Sequence, residues 1–157
     1  MEAIEIHDLT EAGIVAVQFQ DLLPHLEHQA PHLELYLIEF DVVLKDSSPY
    51  HLADLRAKIE QSEAGLQISW GELKELAAAI VDIQDLTLAG CLPPKTPIRS
   101  SAFQSLCTSC NLVVECFDSS FWRICSDDPE CIRAIREQFF VVRNFSLSGD
   151  DTGAPGS

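Results

Sequence analysis

Positive charge is scarce in this sequence: 10 lysines and arginines stand against 25 aspartates and glutamates, a net charge of −15 at neutral pH. Such a chain repels phosphate backbones, which argues against direct DNA or RNA binding. Also missing is any run approaching the roughly 20 apolar residues of a membrane-spanning helix. The opening Met1-Glu2-Ala3-Ile4-Glu5 is acidic where a secretory signal would be basic, so a cytoplasmic protein with no membrane role is expected. Glycine is sparse, 7 residues in 157, and no phosphate-cradling loop, nucleophile elbow or H-E-x-x-H occurs. No catalytic group is legible, and no cofactor is expected.

What remains is enough to fold. With 46% apolar residues the chain is globular, and its length suits one domain, placed here at residues 1–145. Residues 146–157 hold glycine, proline, serine and acids, which predicts a disordered tail.

One stretch reads as a complete unit. Val113 to Phe117 and Phe121 to Cys125 are β-branched and aromatic runs, separated by the turn formers Asp118-Ser119-Ser120. Asp128 then caps a helix with Pro129 at its first position, and Ile132, Ile135 and Phe139 face a sheet.

Upstream, Ile4 to Ile6 and Ile14 to Phe19 read as strands. Asp21 to Pro31, punctuated by Pro24 and Pro31, reads as a loop, with room for at most one helical turn. Leu33 to Leu44 reads as a long interior strand whose apolar register switches near Leu37-Ile38, predicting a bulge or burial on both faces. Ser48 and Pro49 predict a helix start, with Leu52, Leu55 and Ile59 inward and Gly65 as a stop. Ser69 and Glu72 form a capping box. The helix it opens is expected to bury Leu73, Leu76, Ala77, Ile80 and Ile83 and to end at Asp85. Leu86 to Cys91 is then a return strand, and Ile98 to Ser109 a loop or short helix. The fold class that results is α+β, with a mixed, mainly antiparallel sheet and about three helices covering one face.

Six cysteines without a secretory signal are expected to be reduced. Cys107 and Cys110 form a C-x-x-C, and adding Cys125 and Cys131 would complete four thiolates for zinc, although the last spacing does not match a second knuckle. His25, His28 and His32 could share a helix face, but Pro31 interrupts it and a surface loop is the reading preferred. Trp70 and Trp122 could anchor a partner; for Trp122 the preferred reading is packing between sheet and helix.

The segments Ile68-Ser69-Trp70-Gly71-Glu72-Leu73 with Leu76-Ala77, and Phe117-Asp118-Ser119-Ser120-Phe121-Trp122 with Asp127, resemble the C-terminal part of small uncharacterised bacterial proteins. Some of that group are similar to immunity proteins of toxin systems. The likeness covers residues 66–145, carries no catalytic residues, and implies a non-enzymatic protein that neutralises a toxin domain. Charge points the same way, since residues 1–85 carry 17 acidic groups against 4 basic, while residues 86–157 carry 8 against 6. A basic protein partner is expected, with Glu34, Glu39, Asp41, Glu60, Glu63, Trp70, Glu72, Glu75 and Asp82 as candidate contacts. Taken singly, each of these acids also fits plain solvated surface. The alternative from another class is a zinc- or thiol-dependent protein built on Cys107, Cys110, Cys125 and Cys131.

Overall fold

Alternation of side chains along the strands divides the molecule into two cores. The structure, a computed structural model, describes residues 1–8 and 17–147. Its strands are β1 (Glu2–Ile6), β2 (Glu34–Leu44), β3 (Leu66–Ile68), β4 (Ile80–Cys91), β5 (Leu112–Phe117), β6 (Phe121–Ser126) and β7 (Val142–Asn144). They form one sheet in the order β3-β2-β4-β5-β6-β1-β7, antiparallel at every pairing. The helices are α1 (Phe19–Gln29), α2 (Leu52–Glu60), α3 (Trp70–Ala78), α4 (Phe103–Ser109) and α5 (Pro129–Gln138). The class is therefore α+β, with five helices among the described residues rather than about three.

Leu86 and Leu88 of β4, Val114 of β5, and Trp122 and Ile124 of β6 point into the larger core, where α1, α3 and α5 pack, with α2 contributing Leu55 and Ile59. Residues of opposite parity, Ala89, Val113 and Cys125, point the other way and meet α4 through Phe103, Leu106 and Cys107. Helices thus lie on both faces, but α4 covers only part of its face.

The hairpin and capped helix read from residues 113–135 are present. Asp118 and Ser119 adopt φ of 50° and 55°, a left-handed pair suited to short polar side chains. Strand β4 holds this turn through Ser119 N–H donating to Gln84 O at 3.0 Å and Asp118 N–H to Asp85 Oδ1 at 3.0 Å. Asp128 caps α5 by accepting from Glu130 N–H at 3.0 Å. In α3 the capping box forms as read, with Glu72 N–H donating to Ser69 Oγ at 3.1 Å. Strand β2 carries a register irregularity between Leu37 and Glu39, so Leu37 and Phe40 both reach the larger core while Ile38 turns to the smaller one. Gly65 packs against this bulge at φ +86°, where a Cβ would sit 2.3 Å from the Leu37 carbonyl oxygen.

Four elements depart from the sequence reading. Of the expected strand at Ile14 to Phe19, residues 14–16 lie outside the described residues, and Phe19 opens a helix. The loop expected from Asp21 is α1, with Pro24 inside it. Leu22, Leu23 and Leu26 are at most 1% exposed. Burying each contributes about 1.5–3 kcal/mol, which together outweighs the roughly 3 kcal/mol cost of an interior proline. Ser48 does not cap a helix: its hydroxyl accepts from Tyr50 N–H at 3.0 Å in a turn, and α2 starts at Leu52. Helix α3 stops at Ala78, and the β-branched run from Ile80 pairs with β2 instead, extending β4 to 12 residues. The expected tail falls almost wholly outside the described residues.

Candidate functional site

Where α4 leaves its sheet face uncovered, a cleft of about 440 Å³ opens between α4 and α2. Its floor is the sheet, with Glu39 and Asp41 of β2, Thr87 of β4 and Glu115 of β5. One wall is Arg56, Ile59 and Glu60 of α2; the other is Phe103 and Leu106 of α4 with Arg99 from the preceding loop.

The floor follows from strand register. Glu39 lies opposite Thr87, Thr87 opposite Glu115, Glu115 opposite Arg123, and Arg123 opposite Glu5, so one cross-strand row carries four charged groups. In the next row Asp41 lies opposite Asp85, a like-charge pair that costs stability.

Charge is neutralised at one end of this surface and not at the other. Arg123 Nε donates to Glu5 Oε2 at 2.8 Å, and its guanidinium lies 4.4 Å from the Phe145 ring centroid and 5.1 Å from that of Phe121. His7 Nε2 is 2.9 Å from Glu5 Oε1. Burial alone would push the Glu5 carboxyl up; the hydrogen bonds to His7 and Arg123 outweigh it and hold the group below its usual range. Glu115 has only a long contact with Arg123, 3.9 Å, and its side chain is 16% exposed. Burial pushes the Glu115 carboxyl up, and Glu39 and Asp85 add to the rise against the pull of Arg123. Glu39 is also raised, by desolvation first and then by Asp85 and Asp41, with Arg56 opposing. Arg99 is turned toward backbone, its Nε donating to Ser62 O at 3.3 Å. The arrangement holds four carboxylates, Glu39, Asp41, Glu60 and Glu115, around a solvent-open space with incomplete compensation, which suits a guanidinium or ammonium group.

Of the acids singled out in the sequence, Glu39, Asp41 and Glu60 come together here. Glu34, Trp70 and Glu72 line a separate depression beside β3 with Gln67 and Ile68. Trp70 Nε1 is enclosed there with no hydrogen-bond acceptor in reach. Glu75 accepts from the Tyr50 hydroxyl at 3.2 Å, Glu63 follows α2 with its carbonyl accepting from Arg99 N–H, and Asp82 lies opposite Val43 on β4. Those three join neither group.

Sequence reasoning missed Asp85, Glu115 and the arginines. Glu115 had a signal, a lone acid inside the apolar run Val113-Val114-Glu115-Cys116.

The cysteine reading is corrected. Cys107 and Cys125 form a disulfide that ties α4 to β6, so the six thiols are not all free. Cys131 lies in the larger core, across the sheet from Cys107, Cys110 and Cys125, and the proposed zinc set does not converge. Among the described residues no group of three or more His, Cys, Asp or Glu is placed to hold a metal ion. His25 and His28 sit on α1 rather than in a loop. Trp122 packs as expected, stacked on Phe19 at 5.6 Å and donating from Nε1 to Val17 O at 2.7 Å.

Comparison with protein-family models, curated proteins and solved structures gives no match. Among the described residues no helix is long and apolar enough to cross a membrane.

Proposed function

We propose that this is a non-enzymatic binding protein whose cleft between α2 and α4 receives a cationic side chain of a basic protein partner. The carrying observation is that the cleft floor sets Glu39 and Glu115 in one cross-strand row with Asp41 in the next, where burial and mutual repulsion raise the two glutamate carboxyls. An ammonium or guanidinium group placed among them offsets the carboxylates' desolvation and their mutual repulsion by direct attraction, which favours a cation over a neutral or anionic group. An immunity-type role, in which the partner is a toxin domain, fits this chemistry: such a role needs a charged, pre-formed surface and no catalytic group. Arg56 and Arg99 at the walls give the cleft selectivity, because they disfavour a cation that cannot reach the floor.

Carboxyl titration followed by NMR tests the reading. Addition of a short lysine- and arginine-rich peptide should lower the midpoints of Glu39 and Glu115 and leave Glu5, already paired with Arg123, in place. Midpoints that stay put while peptide binds would locate binding elsewhere and overturn the assignment.

A further inference from the structure

Four of the six cysteines gather in the smaller core: the disulfide pair Cys107 and Cys125, and two thiols, Cys91 at the end of β4 and Cys110 at the C-cap of α4. The backbone brings the two thiols together. Asn111 N–H donates to Gly90 O at 3.0 Å, and Leu92 N–H donates to Asn111 Oδ1 at 2.9 Å, so the residues flanking Cys91 and Cys110 are pinned to each other. Their side chains share one buried cluster with the disulfide, at 0% and 3% exposure. Ser109 Oγ lies 3.8 Å from Cys110 Sγ.

We propose that Cys91 and Cys110 close a second disulfide beside Cys107–Cys125, by exchange with a low-molecular-weight disulfide. The Cys110 thiolate attacks one sulfur of the small disulfide, forming a mixed disulfide and releasing one thiolate. The Cys91 sulfur, on losing its proton, then displaces the second. Two protein thiols are oxidised, one small disulfide is reduced to two thiols, and the two protein protons pass to the released thiolates.

The chemistry of the pair is asymmetric in the direction this step needs. The neighbouring Cys91 thiol holds Cys110 down to about 7, with Ser109 and Lys95 assisting against burial, while Cys91 is raised by its neighbour Cys110 and by burial. The remaining free cysteines contrast with it. Burial pushes Cys116 up to about 12 and Cys131 up to about 11, and both lie across the sheet in the larger core. With two bonds, the last turn of α4 is tied to β4 and to β6, and the wall that carries Phe103 and Leu106 into the cleft is fixed at that end.

The test is a thiol count on the whole chain, equilibrated in mixtures of reduced and oxidised glutathione with enough urea for buried thiols to exchange, then alkylated in denaturant. In the oxidised limit two alkylated cysteines, Cys116 and Cys131, are expected, in place of the four free cysteines that one disulfide leaves. Peptide mapping should join Cys91 to Cys110, and Cys110→Ala should leave Cys91 alkylated while Cys107–Cys125 persists. Four alkylated cysteines in the most oxidising mixture, or a Cys91 bond to any cysteine other than Cys110, would overturn the proposal.

Discussion

Trp122 shows what one residue carries in this fold. Its ring stacks on Phe19 and its Nε1 satisfies the Val17 carbonyl, so it joins β6 to the segment that leads into α1. Trp122→Phe keeps most of the apolar area but leaves Val17 O without its donor. A loss of about 1–3 kcal/mol is expected in urea denaturation; an unchanged midpoint would mean that the hydrogen bond contributes nothing. Glu115 carries the opposite sign. Its carboxyl is raised in the folded state, so the folded chain takes up that proton more readily than the unfolded chain, and the charge costs stability above the folded value. Glu115→Gln should therefore raise Tm at pH 7, with the gain shrinking as pH falls through the carboxylate range, where the native side chain becomes neutral as well. Thermal melts at pH 7 and pH 4 read this directly, and a lower Tm at pH 7 would show that the contact with Arg123 outweighs the burial.

At the scale of elements, local signals were legible where they agreed with tertiary packing and misleading where packing overrode them. The capping box at Ser69 and Glu72 and the cap at Asp128 close their own hydrogen bonds, and the turn at Asp118-Ser119-Ser120 closes one between Ser120 N–H and Phe117 O in addition to those it makes to β4, so neighbours in sequence suffice to read them. Helix α1 could not be read that way, because its interior Pro24 is tolerated only through leucines buried against elements far along the chain. Pro24 is exposed, so Pro24→Ala removes the helix penalty without opening a cavity. It should stabilise the chain by about 1–3 kcal/mol, read as a higher denaturation midpoint; a fall would mean that the ring has a packing role. The boundary between α3 and β4 was misread because Ile80 and Ile83 suit a helical period as well as a strand, and only pairing with β2 decides between them. The disulfide was hidden for a related reason: Cys107 and Cys125 are 18 residues apart, with a strand and a turn between them. Closing a loop of that size contributes about 3 kcal/mol, so adding reductant should lower the denaturation midpoint, and an unchanged midpoint would deny the bond a stabilising role.

For the whole molecule, the uneven charge of the sequence pointed to an acidic first half, and the fold redistributes it. Strand β1 lies between β6 and β7, and β4 between β2 and β5, so residues early and late in the chain share one surface. The cleft draws Glu39, Asp41 and Glu60 from the early part and Glu115 from the later part. Three of its acids were legible as charged residues; that they converge was not, since convergence depends on the register across β2, β4 and β5. Net charge adds a steering field, so association with a basic partner should slow as salt rises from low to physiological concentration. That dependence alone would not separate the cleft from the rest of an acidic surface. The decisive measurement compares two double variants of equal net charge in binding a lysine- and arginine-rich peptide at physiological salt. Glu39→Gln with Glu115→Gln alters the cleft floor; Glu2→Gln with Asp46→Asn removes exposed charge outside the cleft lining. The cleft variant should bind about tenfold more weakly while the control stays within about twofold of the parent; equal losses in both would contradict a localised site and leave only diffuse attraction.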